Sequence, residues 1–194
     1  MITLGAGRMD TLVFEGVPIP GVPESVRLAV GDRRAIVVAD PDQARTLADL
    51  VTGLIEPPPG AMIHSSGPVR LVPAEGGLLP HLTVLENLIH GTCTTSNLAR
   101  HTAAETSRAT AASCGLGDLV DRYPYQLTPG GRRLGGVARA LCAGARSIVL
   151  EDVDGLPTWG ALLARYDLEL GRVVLLLIAP TEERVVGFTG AGSG

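Results

Sequence analysis

The run Val173-Val174-Leu175-Leu176-Leu177-Ile178-Ala179 constrains the fold of this chain more than any other stretch. It is apolar without alternation, so a strand formed from it has to be buried on both faces, as in a parallel sheet covered by helices on each side. It is far shorter than the ~20 residues that cross a bilayer. Met1–Asp10 has neither the basic start nor the apolar run of a secretory signal. The chain is therefore not expected to span a membrane itself. Arg34-Ala35-Ile36-Val37-Val38 and Ser147-Ile148-Val149-Leu150 are two further strand candidates, the second ending in Glu151-Asp152.

The segments between these strands complete an α/β alternation. Thr11–Phe14 and Ser25–Val30 are β-like and separated by Gly- and Pro-rich turns. A turn at Ala39-Asp40-Pro41-Asp42-Gln43 leads into an expected helix from Ala44 to about Ile55, which Glu56-Pro57-Pro58-Pro59-Gly60 stops. A short strand is expected at Val69–Val72 and a mostly helical stretch over Val84–Leu119. Gly130-Gly131 precedes a helix from Arg132 to Ala143, and another helix is expected near Thr158–Tyr166. That order predicts a mainly parallel sheet with right-handed crossovers, a small N-terminal antiparallel β region and a helical insertion over about residues 76–130. At 194 residues the chain suits one domain carrying a small subdomain, spanning 1–189, with 190–194 as a flexible tail.

Charge narrows the chemistry. The sixteen basic residues are all arginine, so no mechanism that needs a lysine ammonium is open to this chain. A net charge of -4 gives no general attraction to nucleic acid. Cys93, Cys114 and Cys142 lack CxxC spacing and read as reduced, while His64, His81, His90 and His101 lack paired metal-ligand spacing.

Three segments, in order, resemble the nucleotide-binding subunit of ABC transporters. Gly77-Leu78-Leu79-Pro80-His81-Leu82-Thr83-Val84-Leu85-Glu86-Asn87-Leu88 is similar to the stretch after the family's Q-loop. Tyr123-Pro124-Tyr125-Gln126-Leu127-Thr128-Pro129-Gly130-Gly131, continuing to Ala138-Arg139-Ala140-Leu141, is similar to the signature segment, usually LSGGQ, and its helix. Arg146–Asp152 stands where the Walker B strand does, and Gly53-Leu54-Ile55-Glu56-Pro57 looks like the end of the family's first helix. The resemblance covers about residues 11–188 and implies a P-loop NTPase-like fold, with ATP and Mg²⁺ as the family's ligands. Length missing between Ile63 and Val69 is expected to trim the antiparallel region beside the adenine.

Several positions depart from the family's catalytic pattern. The P-loop, G-x-x-x-x-G-K-[ST], cradles phosphates in backbone N–H groups at a helix N-terminus. Its match here is Ala39-Asp40-Pro41-Asp42-Gln43-Ala44-Arg45-Thr46, with Arg45 for lysine and Thr46 for the Mg²⁺ hydroxyl. Counting back from Gly53 instead sets Ala44 at the lysine position, and an ordinary capped turn is a further reading. Asp40 and Asp42 would repel phosphate by roughly 3 kcal/mol each at ~5 Å. Ala74 stands for the Q-loop glutamine and Pro180 for the switch histidine. Glu151 takes the Mg²⁺-associated position and Asp152 that of the catalytic glutamate, one methylene short for a general base. Phe14 is the aromatic nearest the adenine-stacking position, and Trp159 has no role in this comparison.

Thr128, Gly130 and Gly131 either complete a partner's ATP site, as the signature does in the family's dimers, or simply cap a helix. Leu79, Pro80, His81, Leu82 and Thr83 correspond to the region beside the groove that receives a permease's coupling helix. The resemblance thus implies a degenerate ATP-binding subunit. Such a subunit docks on a transmembrane permease at the inner face of the membrane, as a homodimer or beside another ABC ATPase subunit. A weakly active ATPase using Arg45, Thr46, Glu151 and Asp152, and an ABC-fold scaffold unconnected with transport, are the alternatives.

Overall fold

A computed structural model of the protein describes residues 10–93, 100–164 and 170–190. Residues 1–9, the expected helix end at Tyr166 and the tail beyond Gly190 lie outside them. Strands β1 (Asp10–Glu15) and β2 (Ser25–Ala29) pair antiparallel, with Phe14 opposite Val26. Strand β3 (Arg33–Val37) follows, then helix α1 (Pro41–Thr52). Strand β4 (Met62–Ser65) pairs antiparallel with the other edge of β1, giving a three-stranded sheet in the order β2-β1-β4. The antiparallel sheet therefore keeps a third strand within the region expected to be trimmed.

Strand β5 (Val69–Val72) opens a second succession: helices α2 (Val84–Cys93), α3 (Arg100–Ser113) and α4 (Pro129–Cys142), then strand β6 (Ser147–Glu151). Helix α5 (Trp159–Leu163), strand β7 (Val174–Ala179) and the two-residue strand β8 (Thr189–Gly190) complete the described chain. The second sheet runs β5-β6-β7-β3-β8, with every neighbouring pair parallel. Gly190 thus pairs with Ala35 at the sheet edge.

Period-two alternation along β6 and β7 divides the core in two. Ile148, Leu150, Leu175 and Leu177 face α4, α5 and the helical insertion, packing with Val137, Leu88 and Trp159. Val149, Val174, Leu176 and Ile178 face α1 and the antiparallel sheet, packing with Leu47, Leu50, Phe14 and Leu28. Among the described residues no helix is long and apolar enough to cross a membrane.

Two helices begin three residues before their expected starts. At α1, Asp40 is the N-cap and Pro41 holds the first helical position, where its missing N–H costs nothing. At α4, Thr128 caps and Pro129 follows in the same way. Gly53, at φ 74°, closes α1, as the Gly after a helix usually does. Backbones approach closely where α4 meets the turn after β5: a Cβ on Gly136 would stand 2.1 Å from the Gly76 carbonyl oxygen.

Candidate functional site

The carboxyl ends of β3, β6 and β7 open onto a cavity of about 430 Å³, at the edge of the sheet where open α/β folds bind ligands. Val38, Ala39, Ala44, Ile178, Ala179 and Pro180 make much of its wall apolar, Arg45, Glu151 and Asp154 supply charge, and Asp152 borders it with its carboxylate turned away. The structure thus gathers Ala39, Ala44, Arg45, Glu151 and Asp152 around one space.

The turn from β3 to α1 is short, because helix begins at Pro41. The Asp40 carboxylate accepts hydrogen bonds from the Asp42 amide at 2.9 Å and the Gln43 amide at 3.1 Å. Those are free N–H groups of the helix start, which the macrodipole makes attractive to an anion. Here the chain's own carboxylate takes them. Thr46 Oγ1 donates to the Asp42 carbonyl at 2.8 Å, a bond within the helix. The segment Ala39–Thr46 is therefore a capped helix start rather than the wrapped loop that the phosphate-cradle reading expects.

Arg45 bridges two carboxylates, Asp49 at 3.1 Å one turn along α1 and Glu151 at 3.2 Å from the end of β6. Burial raises the Glu151 pKa above the ordinary glutamate value, Arg45 pulls it back, and Asp49 adds to the rise. Thr46 and Glu151, the expected Mg²⁺ ligands, each engage protein groups instead. Among the described residues no group of three or more His, Cys, Asp or Glu side chains is placed to hold a metal ion.

Asp152 points to the other face of the sheet. Its side chain is 0% exposed and meets the equally buried Arg133 at 2.6 Å. Arg184 Nε donates to Asp152 Oδ2 at 2.8 Å and Arg184 Nη2 to Oδ1 at 2.9 Å. Both oxygens are thus occupied by guanidinium groups, and a base needs a free lone pair aimed at the proton it takes. Burial lowers the Arg133 pKa, against the pull of Asp152, whereas the hydrogen bond to Asp152 raises that of Arg184. Arg133 lies 4.0 Å above the Trp159 ring, within cation–π reach. Trp159 in turn donates from Nε1 to the Glu151 carbonyl at 2.8 Å. Arg133, Arg184 and Trp159 are the residues that sequence reasoning missed. The adjacent Arg132-Arg133 pair and the single tryptophan were the signals available.

Away from the cavity, the Thr128 hydroxyl accepts from the Gly131 amide at 3.1 Å, capping α4. Gly130 is buried, and a Cβ there would stand 2.9 Å from Leu162. Phe14 is 0% exposed in the core beneath α1, so it offers no face for stacking a base.

The segment Leu79–Thr83 is held by one buried amide. Asn87 Oδ1 accepts from the Leu79 amide at 2.8 Å, while Nδ2 donates to the carbonyls of Leu79, Leu82 and Thr83 at 3.1, 3.2 and 3.0 Å. Thr83 and Glu86 cap α2 reciprocally: the Thr83 amide donates to Glu86 at 2.8 Å, and the Glu86 amide to Thr83 Oγ1 at 3.3 Å. Pro80 and His81 stand exposed on this fixed loop.

No family model matches the chain. It is 29% identical over 149 residues to the taurine import ATP-binding protein of Pseudomonas fluorescens, covering 70% of this chain and 56% of that protein. It is 29% identical over 140 residues to the thiamine import ATP-binding protein of Haemophilus influenzae, covering 66% and 64%. It is 32% identical over 129 residues to the molybdate/tungstate import ATP-binding protein of Archaeoglobus fulgidus, covering 59% and 52%. The matched stretch is thus less than two thirds of each relative's length. Among solved structures, cbiO1 of Clostridium perfringens, part of the ABC transporter complex cbiONQ, superposes with TM-score 0.73 at 16% identity, over 92% of this chain and 81% of that one. A nucleotide-free ATP-binding cassette from an ABC transporter gives 0.70 at 18%, over 93% and 85%.

Proposed function

We propose that this chain, which has the fold of ABC ATPase domains and import ATP-binding subunits as its curated relatives, docks on a membrane permease as a subunit whose own ATP site has lapsed. The observation that carries this reading is the Asp40 carboxylate on the first amides of α1. A triphosphate would have to displace that cap and lie beside Asp40 and Asp42 without a lysine in the chain. Arg45 already bridges Asp49 and Glu151. The residues present do not fit ATP with Mg²⁺, and hydrolysis has no base, because Asp152 is saturated by Arg133 and Arg184.

The docking half of the proposal rests on Leu79–Thr83. A loop fixed by four hydrogen bonds to Asn87 presents Pro80 and His81 with little ordering left for binding to impose. The permease would bring the chain to the inner face of the membrane, and a second ABC subunit, identical or active, would complete the assembly. In the latter case Thr128 and Gly131 would offer the partner's nucleotide a helix N-terminus whose Gly131 amide is already capped.

Calorimetric titration of the full chain with Mg²⁺–ATP tests the lapsed site. The expected result is no heat of binding at millimolar nucleotide. Micromolar affinity would overturn the reading and restore the weakly active ATPase, with Arg45 and Thr46 released from their present partners.

A further inference from the structure

We infer that Arg133, Asp152, Arg184 and Trp159 form a clamp that fixes helix α4 to the end of the parallel sheet, so that its placement does not respond to nucleotide. The inference goes beyond the proposed function and holds whether or not the chain meets a permease. The clamp draws together four separate stretches: the N-terminal half of α4, the residue after β6, the start of α5, and the 3-10 turn Glu182–Arg184 after β7.

The bonds are reciprocal and nearly complete. Asp152 takes three charged hydrogen bonds, from Arg133 at 2.6 Å and from Arg184 at 2.8 and 2.9 Å. Arg184 also donates to the Leu156 carbonyl at 3.0 Å. Arg133 donates to the carbonyls of Pro157 and, at 3.3 Å, Glu151. That places both arginines on the loop joining β6 to α5 as well as on the carboxylate. Trp159 closes the underside, its ring against Arg133 and its Nε1 on the same Glu151 carbonyl. Arg133 Nε is a buried donor of the cluster without a hydrogen-bond partner.

Burial turns these bonds into a mechanical restraint. The side chains of Arg133 and Asp152 are both 0% exposed. Sliding α4 along or away from β6 would pull this ion pair apart out of reach of water, which costs far more than separating a pair on the surface. Backbone packing leaves no slack beside the ions. Gly160, in α5, would set a Cβ 1.8 Å from the Val186 carbonyl oxygen, and Gly136, in α4, a Cβ 2.1 Å from that of Gly76. The carboxylate at the catalytic-glutamate position thus serves as a tie between layers.

The chain's single tryptophan reports on the clamp directly. The experiment follows Trp159 fluorescence and amide hydrogen exchange by mass spectrometry in the full chain, with and without millimolar Mg²⁺–ATP, for wild type and Asp152→Asn. In wild type, the emission maximum and the protection of α4 are expected to be the same with and without nucleotide. In Asp152→Asn, emission should shift to the red and α4 should exchange about ten-fold faster or more, with α1 unchanged. A nucleotide-dependent change in wild type overturns the inference. So does a variant that leaves Trp159 and α4 as they were, or one that loosens α1 and α4 alike. If Asp152→Asn does not fold, Arg184→Gln, at the 11% exposed edge of the cluster, is read by the same criteria.

Discussion

Glu151 and Asp152 illustrate how neighbouring carboxylates acquire different fates. Glu151 is held above the ordinary glutamate pKa of 4.5, first by burial. A raised carboxyl favours the protonated folded state, so its contribution to stability is present below 4.5 and lost as pH climbs through the folded pKa. Glu151→Gln should therefore gain on wild type in urea denaturation across that window and hold a constant difference above it. A variant that loses ground instead would show that the Arg45 pair outweighs burial. The identities of both residues marked this strand end in the sequence, but not their partners. Arg133 lies 19 positions before Asp152 and Arg184 lies 32 after it. Only the packing of helices on the sheet brings them together, so a carboxylate that reads as a base from its position is spent on ion pairing.

Among the elements, the long buried strands were legible because an unbroken apolar run has few other uses. The starts of α1 and α4 were not. Asp40-Pro41 and Thr128-Pro129 look like turn punctuation, yet a capping side chain followed by Pro is also how a helix opens. That distinction bears on the candidate site, because with α1 beginning at Pro41 the Asp40 carboxylate takes the first amides of the helix. The edge strands β4 and β8 carry no strong local pattern and are defined by what they pair with. Close packing of elements leads to a sharper test. Gly136→Ala would press a methyl against the Gly76 backbone and Val72 Cγ1, neither a flexible chain end, so a loss of about 1–3 kcal/mol is expected in urea melts. An unchanged midpoint would mean that the turn after β5 can retreat from α4.

At the scale of the whole molecule, two hydrophobic clusters share the strands β6 and β7, each strand giving alternate residues to each cluster. Neither cluster can dissolve without stripping one face of the same strands. Thermal unfolding followed by far-UV circular dichroism and by Trp159 fluorescence should therefore give coincident single transitions. Separate midpoints would show that the helical layer melts independently of α1 and the antiparallel sheet. The same alternation governs the last residues of β6. Glu151 answers to α1 and Asp152 to α4, although one peptide bond joins them. Under mutation they are two characters rather than one motif. A substitution at either is expected to disturb the layer it faces and to spare the ion pair of the other.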